Sequence, residues 1–277
     1  MSSDFEQISD ELFRASVPNL VGRIGQPTNV YFVGRRHGLL VDAGSDDGGV
    51  AVTEAIEHFG IDPPEKVILT HAHQDHAGAA MAIQQATGAE RYLHPDATST
   101  DVTGAQPLSA GQLFEAGPYR LTVIETPGHA VGHISLYEPG LKALFAGDLL
   151  SGFGTISIVP PAGSMRDYMA SLHRVNEFEI DIIYPGHGPA IINGNERIDQ
   201  YIERRESRER EIFDAVASGL DTSEAVTALI YPEVQPNIQR AAEGTVRAHL
   251  IHLAEQGRIR VLDAGGGHPR YVACQKP

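Results

Sequence analysis

Tryptophan is absent from this chain of 277 residues, and cysteine occurs once, as Cys274. A single cysteine allows neither a disulfide within the chain nor a thiolate zinc cluster, which excludes disulfide scaffolds and cysteine-based zinc modules. Positive charge is also scarce, with 21 Lys and Arg residues against 36 Asp and Glu residues. The net charge of −15 argues against a broad basic surface for nucleic acid, although bound divalent cations would create a local positive site.

Long hydrophobic runs are missing as well. No apolar stretch approaches the length needed to cross a bilayer, and residues 1–13 lack the basic start and apolar run of a secretory signal. We therefore expect a soluble, cytoplasmic chain without a membrane partner. Hydrophobic residues still make up 42% of the sequence, which is enough for a well-buried core.

The sequence divides into two regions. Before residue 194, short apolar strands alternate with helical segments in two series, which predicts an α/β fold of layered sheets and helices. After it, three helical segments precede two short strands around "DAGGGHP" (263–269), a pattern typical of a winged helix. We therefore expect two domains, residues 1–194 and a small winged-helix-like domain of residues 195–277.

Potential metal ligands follow predicted strands and lie beside small residues. "THAHQDHAGA" (70–79) places three histidines and an aspartate directly after the apolar strand "KVILT" (66–70). A packed core would not select this cluster, because each ring nitrogen needs a partner once it leaves water. "TPGH", "AGD" and "PGHG" supply further imidazole and carboxylate groups downstream. The candidate ligands are His71, His73, Asp75, His76, His129, Asp148 and His187.

This set of nitrogen and oxygen donors is large enough for two ions. Such donors suit borderline metals better than magnesium or calcium, so we expect two divalent cations, zinc first, with iron or manganese as alternatives. Two cations would acidify a bridging hydroxide that attacks an electrophilic centre. We expect His133, four residues after His129, to hydrogen-bond a ligand or to shape its loop.

The order and surroundings of "HAHQDH", "TPGH", "AGD" and "PGHG" resemble those of the metallo-β-lactamase superfamily. The resemblance covers about residues 10–192 and implies an αββα sandwich with the site at one edge. It implies that three imidazoles hold the first metal: His71, His73 and His129. The implied ligands of the second metal are Asp75, His76 and His187, with Asp148 as the bridge.

Individual residues disfavour several branches of this superfamily. Metallo-β-lactamases usually lack an aspartate where Asp148 stands, and one main class has a cysteine ligand there, whereas the cysteine of this chain is Cys274. Flavodiiron proteins place a glutamate at the position of His73. Hydroxyacylglutathione hydrolases, persulfide dioxygenases and tRNA-processing nucleases remain. The resemblance is strongest to a group with a winged-helix tail, which includes polyketide-releasing thioesterases and endoribonucleases for single-stranded RNA.

The leading hypothesis is hydrolysis of a thioester, on a small-molecule or carrier-bound acyl substrate of the acyl carrier protein, CoA or glutathione type. A metal-dependent endoribonuclease is the alternative, followed by an iron-dependent persulfide dioxygenase and a non-enzymatic winged-helix regulator. In either hydrolase, Asp75 would orient the nucleophile and take its proton. The C-terminal region is not basic enough for a nucleic-acid reader, so we expect it to cover the site or to form a homodimer surface.

Three further segments carry expectations. "ERRESRER" (203–210) interleaves arginine and glutamate, which indicates a salt-bridged, solvent-exposed helix face. The loop "LLSGFGTISIVPPAG" (149–163) follows Asp148 and is expected to line the substrate pocket. "VPNLVGRIG" (17–25) is expected to border the site.

Overall fold

The computed structural model describes residues 4–19, 26–45, 49–97, 102–262 and 269–274. A seven-stranded sheet contains its first seven strands in chain order. The first four strands pair antiparallel, and the later strands continue the sheet in parallel. Their bounds are β1 Asp4–Gln7, β2 Leu12–Val17, β3 Thr28–Val33, β4 Leu39–Val41, β5 Lys66–Ile68, β6 Glu90–Leu93 and β7 Gln106–Pro107.

A second sheet has six strands in the reverse of chain order, β13-β12-β11-β10-β9-β8. These strands are β8 Leu113–Ala116, β9 Tyr119–Glu125, β10 Ile134–Glu138, β11 Ala143–Gly147, β12 Ile182–Pro185 and β13 Ile191–Ile192. Strands β11 and β12 are parallel neighbours, and the other pairs are antiparallel. The parallel pair sets Asp148 and His187, which follow these two strands, at the same edge of the sheet.

Four layers follow from the alternation of side chains along the strands. In β3, Val30 and Phe32 pack into an outer core, whereas Tyr31 and Val33 pack into the core between the two sheets. The outer cores are covered by four helices: α1 Val50–Phe59, α2 Gln74–Ala77, α3 Ala80–Thr87 and α4 Met165–Val175. The predicted αββα sandwich is confirmed.

Hydrogen bonds join the two sheets at the edge where the predicted ligands lie. The Ile134 N–H donates to the Thr70 carbonyl at 2.8 Å, and the Tyr31 hydroxyl donates to the Pro185 carbonyl at 2.8 Å. Each bond connects a residue of one sheet, or of a loop that follows it, to the other sheet. The loops that carry the histidines are thereby held at one end of the sandwich.

The remaining residues form three helices and a two-stranded antiparallel sheet. Their bounds are α5 Gly194–Ala217, α6 Ser223–Ile230, α7 Pro236–Glu255, β14 Ile259–Leu262 and β15 Arg270–Ala273. Thr222 caps α6, because its Oγ1 accepts a hydrogen bond from the Ala225 N–H at 3.2 Å. The predicted winged helix is confirmed, and residues 263–268 of its predicted turn lie outside the described residues. Within the described ranges, the helices are too short or too polar to span a membrane.

Helix α5 belongs to two hydrophobic cores. Ile198, Tyr201 and Ile202 pack into the outer core of the second sheet. Ile212 and Val216 pack into the core of the winged helix, with side chains from α6, α7 and β14. The helix therefore connects the two regions physically, and a domain boundary near residue 194 stays a prediction.

The prediction that the "ERRESRER" face is exposed to solvent is wrong at Arg205, and Glu209 of the same face is half-buried. Arg205 is 5% exposed, donates a hydrogen bond to the Ile156 carbonyl and lies over the Tyr168 ring, 5.0 Å from its centroid. The Glu209 carboxylate lies 2.8 Å from Nδ1 of His252. Alternating charges predict a helix face, but the neighbours that cover part of that face are fixed only by the tertiary structure.

We expect Glu209 to stabilise the packing of α5 on α7 through its charge. Burial raises the pKa of Glu209, but the imidazoles of His249 and His252 lower it further, to about 2. A lowered pKa stabilises the folded state above the unfolded value of 4.5, and the contribution is lost as pH falls toward 2. Glu209→Gln should therefore reduce the free energy of unfolding at neutral pH by on the order of 2 kcal/mol.

Urea unfolding at pH 7 and pH 3 measures this difference. The deficit of Glu209→Gln relative to the wild-type chain should shrink at the lower pH, since the carboxylate is protonated in the unfolded chain at pH 3 and must lose that proton on folding. Glu203→Gln, at an exposed position of the same helix, is the control and should show little deficit at either pH. A Glu209→Gln deficit that is equal at both values would contradict the electrostatic origin.

Candidate metal centre

The predicted ligands lie in loops at strand ends, at one edge of the sandwich. His71 lies shortly after β5 in the first sheet, and Asp148 and His187 follow β11 and β12 in the second. His129 lies in the loop between β9 and β10. Residues that are far apart in the sequence are thus brought together by the facing edges of two sheets.

A first group combines three imidazoles and a carboxylate: His71, His73, His129 and Asp148. Nδ1 of His73 lies 2.9 Å from Nε2 of His71 and 3.0 Å from Nε2 of His129. Oδ2 of Asp148 lies 3.3 Å from Nε2 of His129. The four candidate ligand atoms are all within 4.8 Å of one another, which is compatible with convergence on one ion.

A second group contains the other three predicted ligands: Asp75, His76 and His187. Nε2 of His187 lies 3.3 Å from Nε2 of His76 and 3.4 Å from Oδ2 of Asp75. The structure therefore brings all seven predicted residues together, in the two groups that the family resemblance implies.

The Asp148 carboxylate lies between the groups. Its Oδ2 faces His129, whereas its Oδ1 lies 3.4 Å from Nε2 of His76 and 3.5 Å from Nε2 of His187. Within the described part of the chain, Oδ1 is buried and has no hydrogen-bond partner. A buried carboxylate oxygen without a partner is costly, so the site fits a cation that would contact this atom.

Backbone carbonyls orient two of the imidazoles. Nδ1 of His129 lies 3.0 Å from the Ser157 carbonyl, and Nδ1 of His187 lies 3.0 Å from the Pro27 carbonyl. Because a carbonyl oxygen only accepts hydrogen bonds, Nδ1 carries the proton in both rings. Nε2 then presents its lone pair to the site, which is the tautomer that a metal ligand needs.

Comparison with known proteins assigns the family. Residues 23–187 match the metallo-beta-lactamase superfamily, and residues 222–267 match the beta-lactamase associated winged helix domain. The chain belongs to the metallo-beta-lactamase superfamily. It is therefore a member of a hydrolase family, as the sequence motifs predict.

Relatives of this metallo-beta-lactamase superfamily member cover both regions. A beta-lactamase-like protein 2 homolog from Caenorhabditis elegans is 31% identical, over 92% of this chain and 88% of that protein. The atrochrysone carboxyl ACP thioesterase of Aspergillus fumigatus is 30% identical, over 69% of this chain and 60% of its own length. A beta-lactamase domain protein from Burkholderia ambifaria shows the same fold, with a TM-score of 0.86 and 18% identity over 98% of this chain and 94% of that one.

Asp42 belongs to the metallo-beta-lactamase site although the sequence analysis did not identify it. Its Oδ2 lies 2.8 Å from Nδ1 of His76, and its Oδ1 accepts a hydrogen bond from the Thr70 N–H at 2.7 Å. The Thr70 hydroxyl in turn lies 3.0 Å from Nδ1 of His71. One carboxylate thus orients a candidate ligand of each group. The available signal was a charged residue that directly follows the fully apolar strand β4.

Asn19 is a second residue at the site that was not named individually. Its side-chain amide donates a hydrogen bond to Oδ2 of Asp75 at 2.9 Å. The expectation that residues 17–25 border the site holds at this position, and residues 20–25 lie outside the described residues. Oδ2 of Asp75 therefore contacts both the Asn19 amide and, at 3.4 Å, Nε2 of His187.

His133 supports Asp148 and lies in neither ligand group, as the sequence analysis expects of a residue that hydrogen-bonds a ligand. The Asp148 N–H donates to Nε2 of His133 at 3.0 Å, so the ring proton is on Nδ1, which donates to the Thr126 hydroxyl at 2.9 Å. Burial lowers the pKa of His133 to about 3, which keeps the ring neutral. The residue fixes the backbone from which the Asp148 side chain projects.

Electrostatics favour the metal-binding forms of His71, His73 and Asp148. For His76 and His187, burial lowers the pKa, but the Asp148 carboxylate raises it above its ordinary value. Burial lowers the pKa of His71 well below its ordinary value and that of His73 to about 4, so both rings are neutral at physiological pH. Burial raises the pKa of Asp148, but the imidazoles of His76 and His187 hold it well below its usual range. Asp148 is therefore ionised, and its buried negative charge is compatible with a cation between the two groups.

The absence of a side chain at Gly186 provides space for two candidate ligands, His76 and Asp148. A Cβ atom at this position would lie 2.6 Å from Cε1 of His76 and 2.9 Å from Oδ1 of Asp148. We expect Gly186→Ala to displace both side chains and to weaken metal binding by at least about tenfold. Metal content and competition with a chromophoric chelator measure the change.

Gly140→Ala is the matched control, because a Cβ there meets only the Glu138 side chain, 3.3 Å away and outside the candidate site. This variant should bind metal as the wild-type chain does. Unchanged metal affinity in Gly186→Ala would show that the site does not use the crowded positions of His76 and Asp148.

Proposed function

We propose that this chain is a dinuclear metal-dependent hydrolase of thioesters, with acyl groups on a carrier protein, CoA or glutathione as its substrate class. The observation that carries the proposal is the Asp148 carboxylate, whose two oxygens face separate groups of ligands. A site for one ion would not need a buried carboxylate shared between two sets of imidazoles. Two cations on either side of it would compensate the charge.

Each predicted ligand is assigned to one of the two proposed ions. The ligands of the first ion would be His71, His73 and His129. Those of the second would be Asp75, His76 and His187, with Asp148 contacting both. We propose zinc, since nitrogen and oxygen donors of this kind suit it, and metal analysis distinguishes zinc from iron or manganese. Two bound ions supply a water nucleophile of lowered pKa and a Lewis acid for the carbonyl oxygen.

Asp75 is proposed to orient the attacking water and to accept its proton. Burial raises the pKa of Asp75, but the nearby His187 and His76 imidazoles lower it to about 2, so its carboxylate is ionised at neutral pH. The Asn19 amide occupies one lone pair of Oδ2 at 2.9 Å and fixes the direction of the carboxylate. His73 is the most exposed residue of the candidate ligand set, which indicates that substrate approaches from its side.

Two observations support a thioester over a phosphodiester. The relative from Aspergillus fumigatus is named as a thioesterase for an acyl carrier protein, and its similarity covers 69% of this chain. The net charge of −15 opposes a polyanionic substrate such as RNA. A thiolate is also a good leaving group, so positioning the carbonyl carbon and the water is the main requirement on the protein.

Phe153 provides an apolar surface for an acyl chain. It lies on the loop after Asp148 and is 49% exposed. A Cβ at Gly188 would lie 2.8 Å from its ring, so the ring packs on the backbone next to His187. An exposed aromatic ring beside the candidate ligands fits a substrate with a hydrophobic acyl group.

Asp148→Asn tests the reaction, because an amide supplies neither the charge nor the second metal contact. Metal-loaded wild-type protein should hydrolyse members of a panel of acyl-CoA, acyl-carrier and acyl-glutathione thioesters, and a chelator should abolish the activity. We expect Asp148→Asn to lower kcat/KM by at least about a thousandfold. Glu138→Gln, a buried carboxylate away from the site, controls for the loss of a buried charge.

A labelled single-stranded RNA is assayed with the same preparations. Cleavage of RNA that depends on metal and on Asp148, without thioester turnover, would overturn the proposed substrate class. Thioester turnover that persists in Asp148→Asn at the wild-type rate would overturn the proposed dinuclear chemistry.

Phe153→Ala tests the acyl-binding surface. We expect KM for long-chain acyl thioesters to rise by about tenfold, since the ring contributes roughly 1.5 kcal/mol of apolar contact, while acetyl thioesters change little. Steady-state kinetics over a series of acyl lengths measures this. Leu229→Ala, at an exposed position on α6, is the control. An equal effect on all chain lengths would contradict acyl binding by Phe153.

A further inference from the structure

The loop after Asp148 lies between the candidate metal centre and the C-terminal helices. The single hydroxyl proton of Tyr201 on α5 is directed at two carbonyls in the first part of this loop, those of Gly154 at 2.8 Å and Ser151 at 3.1 Å. Its central part, residues 156–158, is contacted by α5 and α7 together. The loop is thus held by both α5 and α7.

The central contacts flank a single peptide carbonyl. The Arg205 guanidinium of α5 donates a hydrogen bond to the carbonyl of Ile156. The N–H of Ile158 donates to Oγ1 of Thr245 on α7, at 3.2 Å. Between them, the Ser157 carbonyl accepts the hydrogen bond from Nδ1 of His129 at 3.0 Å.

We propose that Arg205 and Thr245 are positioning residues for the metal centre, which hold the Ser157 carbonyl where it orients the His129 imidazole. The inference rests on the proposed role of His129 as a ligand. It assigns the C-terminal helices a part in building the candidate metal centre, because both side chains come from α5 and α7. Substrate binding is not involved in this role.

The close approach of α7 to the loop depends on Gly244. A Cβ atom at this position would lie 2.9 Å from both methyl groups of Val159. The absence of a side chain lets the helix approach until the next residue, Thr245, reaches the Ile158 N–H. Thr245 also donates to the Ala241 carbonyl at 3.0 Å, so its hydroxyl is directed with its lone pairs toward the loop.

Burial of the Arg205 guanidinium costs free energy that a role in packing alone does not require. It is 5% exposed, and its Nε has no hydrogen-bond partner within the described residues. A hydrophobic side chain of similar volume would avoid the desolvation cost of a buried guanidinium. The guanidinium instead makes two specific contacts. It donates a hydrogen bond to the Ile156 carbonyl in the loop, and it lies over the Tyr168 ring.

Thr245→Val tests the inference, because valine keeps the shape and removes the acceptor for the Ile158 N–H. Metal binding is measured by competition with a chelator, and cobalt substitution reports the ligand geometry through its visible spectrum. We expect Thr245→Val to weaken one of the two binding steps by about tenfold and to alter the cobalt spectrum. Thr245→Ser retains the hydroxyl and should restore both properties.

Thr227→Val is a matched control in the same domain. Thr227 is also buried, and its hydroxyl donates to the Ser223 carbonyl at 2.7 Å in the same helical geometry, but it lies on α6 and not beside the loop. This variant should destabilise the winged helix by a similar amount without changing metal affinity or the cobalt spectrum. Arg205→Met, compared with Arg204→Met at the exposed neighbouring position, tests the other contact in the same way.

Wild-type affinity and spectrum in both Thr245→Val and Arg205→Met would overturn the inference. An equal loss in Thr227→Val would also overturn it, since the effect would then follow domain stability. His129→Ala separates this result from failure of the proposed centre. If His129→Ala binds two metals as tightly as the wild-type chain, the proposed ligand set is wrong, and the role of Arg205 and Thr245 is overturned with it.

Discussion

The buried carboxylate of Asp148 is the group on which the rest of the site depends. Its charge is nearly removed from water, and two clusters of imidazoles face its two oxygens. Such a charge is stable only where cationic partners and oriented dipoles surround it. His133 fixes its backbone, and the second-layer carboxylate of Asp42 orients imidazoles on both sides. The geometry of this one group therefore explains why so many neighbouring polar residues are buried.

The sandwich provides that environment because its two sheets end at a common edge. Loops at this edge can carry polar side chains while the strands behind them stay apolar and well packed. The sheets therefore fix the positions of the loops, and the loops supply the candidate ligands. The parallel pairing of β11 with β12 places Asp148 beside His187 without any local sequence relation. The hydrogen bond from Ile134 to Thr70 then connects the loop of His129 with that of His71.

The C-terminal region is part of this arrangement. Helix α5 buries side chains in two cores, and together with α7 it contacts the loop that carries Ser157. Winged helices commonly bind nucleic acid, but these contacts of α5 and α7 lie inside the molecule and hold the loop that carries Ser157. The arginine-rich stretch illustrates the difference, because Arg205 turns inward to a carbonyl whereas Arg204 stays exposed.

The sequence by itself determined the layered α/β class, the winged helix and the seven candidate ligands, because strand periodicity and closely spaced histidines are local patterns. The αββα order of the layers was implied by the family resemblance. It also indicated that His133 supports a ligand. Only the tertiary structure decided that Asp42 orients His76, that Asn19 contacts Asp75 and that Arg205 is buried. These contacts join residues distant in the chain, and their partners are ordinary backbone carbonyls or single polar side chains. No local pattern marks such positions, since the packing of one element on another selects them.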